Sequence, residues 1–226
     1  MSRIMVLVAA LAVCAAPASA ATLTITASRD ATLVEQPDGN LANGAGPVFF
    51  AGRTNQADNG VRRALLAFDL PARLGVPGPI RLEKVALVVT VLPSNTPPLD
   101  LRLHRVLAPW GEGTSSTSGG GGAPASPGDA TWIHAFYPDA FWSHNGAQFS
   151  GEPSAATVIS EPGVYRFESP RLTRDVLSWV AHPETNFGWI LIGDETGRQT
   201  VRAFASREFP DAAYRPVLEI TYSTNP

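Results

Sequence analysis

The residues best suited to chemistry crowd into one stretch, Thr131-Trp-Ile-His-Ala-Phe-Tyr-Pro-Asp-Ala-Phe-Trp142. It holds five of the chain's nineteen Phe, Trp and Tyr residues. Trp and Tyr faces can stack on the apolar C–H faces of sugar rings, while Arg and His offer donors to hydroxyls or to uronate carboxylates. Trp132, His134, Tyr137 and Trp142, with Trp110 upstream, are therefore the candidate ligand-binding residues. The same aromatics could instead plug one edge of a fold beneath a long loop. Their apolar area is far above that of a disordered segment.

Other groups suggest other chemistry. His134, Asp139 and His144 carry imidazole and carboxylate donors for a transition metal, but their five-residue spacing matches no zinc signature. No cofactor is expected; oxygens near Asp30, Asp38 and Asn40 could at most hold a structural calcium. Glu112, Asp129, His134, Tyr137 and Asp139 are the concentrated candidates for acid–base work on a polysaccharide. Asp69, Arg207, Glu208 and Arg215 read as ion pairs that fix loops, with a polar site as the alternative. His104 reads as a solvated residue on the polar face of its strand. The sequence contains no nucleophile elbow, phosphate loop or zinc-protease helix, so no catalytic residue is assigned.

Short strands joined by turns must position these residues. Twenty Gly and twenty Pro are spread through 226 residues that are 44% hydrophobic, which suits one β-rich core. Strands are expected at 22–26, 31–34, 48–51, 61–70, 80–91, 99–107, 156–160 and 164–167, and three more in the last forty residues. The 80–91 and 99–107 strands are expected to pair, as are 156–160 and 164–167. A single helix is expected with Thr173 as its N-cap, Asp175 near its positive end and Leu172, Val176 and Val180 toward the core. Residues 109–151 interrupt the pattern, first as a Gly/Ser-rich tether over 111–124 and then as the aromatic stretch. The expected fold is all-β, a jelly-roll-like antiparallel β-sandwich with one short helix and a long decorated loop. It forms one domain over residues 21–226.

Residues 1–20 read as a signal peptide, with Arg3, an apolar run from 4 to 13, and the cleavage site Ala18-Ser19-Ala20. Lipid attachment at Cys14 is the alternative, disfavoured by Val13 before it. The expected location is secreted or periplasmic, with no transmembrane segment after cleavage. A net charge of -3, with sixteen Arg scattered among twenty acids, argues against a nucleic-acid partner.

Seven segments stand in the order seen in DNRLRE-type domains. They are Asp30-Ala-Thr-Leu33, Arg63-Ala-Leu-Leu-Ala-Phe-Asp69, Pro109-Trp-Gly-Glu-Gly113, Asp129-Ala-Thr-Trp132, Asp175-Val-Leu-Ser-Trp179, Asn186-Phe-Gly-Trp-Ile-Leu191 and Phe204-Ala-Ser-Arg-Glu208. The chain thus resembles carbohydrate-binding module family 96, whose members are exported jelly-roll sandwiches often attached to larger enzymes. The name-giving motif is replaced by Asn59-Gly-Val-Arg-Arg63, and no appended catalytic domain is expected. The resemblance implies a non-catalytic polysaccharide-binding module. A structural or adhesive role in the cell envelope is the rival reading, and a polysaccharide-degrading enzyme the third.

Overall fold

The computed structural model describes residues 20–71, 74, 80–94 and 96–224. Cys14 and most of the segment read as a leader lie outside the described residues. In chain order the strands are β1 (Ala20–Thr26), β2 (Arg29–Val34), β3 (Leu41–Asn43), β4 (Val48–Arg53), β5 (Val61–Ala67), β6 (Ile80–Val91), β7 (Leu99–Arg105), β8 (Ala123–Pro124), β9 (His134–Phe136), β10 (Ala140–Phe141), β11 (Ala155–Ile159) and β12 (Gly163–Glu168). Helix α1 (Pro170–Ala181) follows, then β13 (Trp189–Ile192), β14 (Arg202–Ala205) and β15 (Val217–Thr224). No helix among the described residues is long and apolar enough to cross a membrane.

The strands pair antiparallel into an all-β sandwich. One sheet runs β1, β15, β6, with β12 on the far edge of β6 and β14 and β4 continuing from Val91. The other runs β8, β3, β2, β5, β13, β7, β11. β4 joins the two, because its Gly52 and Arg53 also pair with Arg62 and Val61 of β5.

Two expected pairings do not form. β6 and β7 lie in opposite sheets, as do β11 and β12. The apolar faces of β6 and β7 do meet, but across the core: Val85, Leu87 and Val89 share one buried cluster with Leu101 and Leu103. Matching faces at period two are produced equally by hydrogen-bonded neighbours and by strands stacked face to face. The last three strands likewise sit apart, β13 beside β5 and β7, β14 beside β4, and β15 between β1 and β6.

Helix α1 begins earlier than its sequence suggested. Ser169 is the N-cap, its Oγ accepting from the N–H groups of Arg171 and Leu172, and Pro170 starts the first turn. Thr173 is already inside and donates back to the Ser169 carbonyl. Asp175 is buried and does not face the solvent at the helix N-terminus. Its Oδ2 accepts from Ser154 Oγ and Trp189 Nε1, tying the helix to both neighbours.

Around β5 the second sheet is covered on both faces. Ala64 and Leu66 of β5 point into the core between the sheets, while Leu65 and Ala67 join a second cluster with Leu33, Ile190, Val106, Trp110 and Trp142. That second core lies beneath residues 109–151. The Gly/Ser part of this insertion is docked and is not a free tether. Ser115 is buried, its carbonyl accepting from Gly44 and Ala45 N–H, and Ala123 pairs with Ala42. Glycine serves close approach here: Gly113 has φ +67°, and a Cβ on it would stand 1.8 Å from Asp129 Oδ1. Asp129 organises the turn, Oδ1 accepting from Ser115 N–H and Oδ2 from Ser126 N–H.

Candidate functional site

The insertion separates the candidate residues into three environments. Trp110 is fully buried, its Nε1 donating to Phe187 O at 2.8 Å and the Arg29 guanidinium lying 4.9 Å over its ring. Trp142 is also buried, with Nε1 donating to Thr131 O at 3.0 Å. Neither ring has a face open to a sugar, so both are corrected from ligand contacts to packing of the second core. Rings of this size are the cheapest way to fill a lid that carries few aliphatic residues.

His134 is buried as well, its Nδ1 2.9 Å from Thr131 Oγ1 and its ring between Tyr137 at 5.1 Å and Phe141 at 4.5 Å. Tyr137 is half-buried and Phe141 exposed. Trp132, also half-buried, faces a different part of the surface, because the Arg63 guanidinium lies 4.9 Å over its ring.

Arg63 leads to the site that sequence reasoning missed. Its Nε and Nη2 bind Glu195 Oε1 and Oε2 at 2.7 and 2.9 Å, and its Nη1 donates to Gly146 O at 2.7 Å. Gly146 adopts φ +81°, and a Cβ there would come within 2.4 Å of Arg63 Nη1 and 2.9 Å of the Trp132 ring. Beside this knot the uncovered part of the sheet forms a groove of about 460 Å³, lined by Asp100, Arg102 and His104 of β7, Ile192 of β13, and Asp194 and Glu195 of the turn after it.

The groove is polar, with both signs of charge. His104 Nδ1 lies 2.8 Å from Ser150 O, and a carbonyl only accepts, so Nδ1 carries the proton and Nε2 is left as an acceptor. Burial lowers the His104 pKa. The bond to Ser150 opposes that, and the charges on Arg102 and Arg63 add to the lowering. The ring is therefore a neutral acceptor at pH 7, fixed edge-on to Phe149 at 5.4 Å. Asp194 Oδ1 accepts from Thr196 Oγ1 and from the N–H groups of Thr196 and Gly197, bonds that hold its carboxyl below the usual range. The side chain of Arg102 is exposed, and its guanidinium has no hydrogen-bond or ion-pair partner among the described residues.

No protein-family model matches the chain, and no curated protein shows significant similarity to it.

Several of the remaining candidates are engaged structurally. Asp30 is fully buried, its Oδ2 accepting from Arg207 N–H at 2.7 Å, while Glu112 accepts from Asp30 N–H and pairs with Arg207, which also meets Glu208. Burial raises the Asp30 carboxyl well above its ordinary pKa; the bond from Arg207 N–H opposes that, and Glu208 and Glu112 add to the rise. These groups stitch the insertion's entry to β2 and to the turn after β14. Asp69 accepts from Ser28 Oγ, and Arg215 donates to Phe209 O. Among the described residues no group of three or more His, Cys, Asp or Glu side chains is arranged to hold a metal.

The sequence did carry one signal for the groove. Arg102 and His104 share the polar face of a strand whose other face, Leu101 and Leu103, is core. Nothing local revealed that this face is walled by the insertion on one side and by Asp194 and Glu195 on the other.

Proposed function

We propose that the protein is an exported, non-catalytic polysaccharide-binding module that takes an acidic, uronate-containing chain in the groove on β7 and β13. One observation carries this reading: the unpartnered guanidinium of Arg102 lies in one groove with a neutral His104 whose Nε2 is free to accept. A planar guanidinium suits the two oxygens of a carboxylate, and an acceptor nitrogen suits a sugar hydroxyl. Export rests on the leader read at residues 1–20, and the ordered motifs resembling carbohydrate-binding module family 96 agree with the glycan class.

The test is calorimetric titration of the protein with glucuronate oligosaccharides, repeated on Arg102→Ala. Binding should weaken by at least about tenfold, the scale of one charge-assisted hydrogen bond. Unchanged affinity in Arg102→Ala would remove the groove as the site. Release of shortened products would overturn the non-catalytic assignment.

A further inference from the structure

Beyond Arg63 a second cavity of about 410 Å³ opens on the same surface, lined by Arg63, Leu107, His144, Asn145, Gln148 and Phe149. The two cavities meet at a divider built from the Arg63–Glu195 pair and the His104–Phe149 contact. Their chemistry differs. In the first, the Arg102 guanidinium has no partner among the described residues. In the second, the permanent charge belongs to Arg63, whose guanidinium is already matched by both Glu195 oxygens and by Gly146 O. What remains there for a ligand is the exposed ring of His144, whose Nδ1 lies 2.9 Å from Ser143 Oγ, the amide of Asn145, the amide N–H groups of Gln148, whose Oε1 accepts from Ser143 Oγ, and the apolar surfaces of Phe149 and Leu107.

The geometry points to a two-part groove whose second part takes a neutral sugar unit, so that the preferred ligand is a chain in which acidic and neutral units alternate. This inference rests on the glycan reading of the first cavity. An acidic unit in the second cavity would face the Arg63 side of the divider, where the guanidinium is already matched by Glu195 and Gly146 O, so desolvating its carboxylate would go largely uncompensated. A neutral unit bearing hydroxyl or acetamido groups meets donors, an amide acceptor and an aromatic ring.

Three tetrasaccharides separate the possibilities: glucuronic acid alternating with N-acetylglucosamine, glucuronic acid alone, and N-acetylglucosamine alone. The alternating chain should bind about tenfold tighter than either homopolymer, the equivalent of one or two added hydrogen bonds. Asn145→Ala and Gln148→Ala, measured separately because Gln148 also holds Ser143, should each reduce affinity for the alternating chain toward that for the glucuronate chain. Equal affinity for the two acidic chains, or a preference that survives both variants, overturns the second subsite. If Arg102→Ala weakens both acidic chains while no preference exists, the first cavity stands and the second falls. Absence of binding to all three sinks the glycan reading and this inference with it.

Discussion

Arg63 of β5 and Glu195 of the turn after β13 form a two-pronged ion pair, 2.7 and 2.9 Å long, at the point where the sheet, the turn and the insertion meet. The pair is mostly shielded, with side-chain exposures of 15% and 24%. The same guanidinium packs over Trp132 and Phe149.

Arg63→Ala therefore removes a partner from a half-buried carboxylate and a cation from two aromatic faces. The expected loss is roughly 2 kcal/mol, below the full cost of breaking a buried pair because some water reaches Glu195. Arg63→Lys should recover less than half of it, since an ammonium cannot bind both oxygens in the plane. Chemical denaturation measures both; a lysine variant as stable as the parent would show that the forked geometry contributes nothing.

Trp110→Ala should cost about 3 to 5 kcal/mol, the range for deleting a fully buried large aromatic. Trp142→Ala should fall toward the same range and Trp132→Ala below it, following their exposure. Urea midpoints at constant m-value give the ranking. A near-neutral Trp110→Ala would contradict the second core.

Removal of residues 115–123 should destabilise the protein by at least about 2 kcal/mol, because Gly44 and Ala45 N–H lose the Ser115 carbonyl and buried Arg62 loses the Gly120 carbonyl. A free tether would respond by only about 0.6 kcal/mol for a twofold change in loop length. The same docking predicts that residues 113–127 resist limited proteolysis in the native protein. Early cleavage there would refute it.

Burial favours the neutral form of the Asp30 carboxyl and raises its folded pKa above the ordinary Asp value of 3.8. A raised pKa gives a contribution that is complete below that ordinary value and is lost as pH rises through the folded pKa. The parent should therefore lose stability relative to Asp30→Asn on going from acid toward neutral pH, since the amide has no proton to lose. Thermal unfolding of both proteins across that range tests it. Parallel stability curves would mean that the carboxyl titrates at its ordinary pKa.

Sequence patterning located nearly every strand of the sandwich, because one face of each is apolar: Val85, Leu87 and Val89 on β6 and Leu101 and Leu103 on β7 are legible at period two. It could not assign partners, since apolar faces that meet across a core look the same as faces of neighbouring strands. β5 is a different case. Its residues 64–67, Ala-Leu-Leu-Ala, are buried on both sides, so alternation there carries no direction until the insertion is seen to lie on top. The site was half legible for the same reason. Arg102 and His104 could be placed on a polar face, whereas Arg63 and Glu195 find each other across 132 positions, a distance at which composition and spacing are silent. The glycines of the insertion misled in a specific way. Runs such as Gly119-Gly-Gly-Gly122 serve flexible tethers and tight apposition equally well, and here Gly122 lies against Val34 and Leu41.

The second core also gives the insertion a part in solubility. Lifting residues 109–151 away while the sandwich stays paired would uncover Leu33, Leu65, Ala67, Ile190 and Val106 together, a contiguous apolar face of the kind that drives self-association. Opening of this lid would be a local event, separable from global unfolding. The concentration at which the protein begins to aggregate should then follow the anchors of the lid, Trp110 and Trp142, more closely than the strength of the sandwich itself.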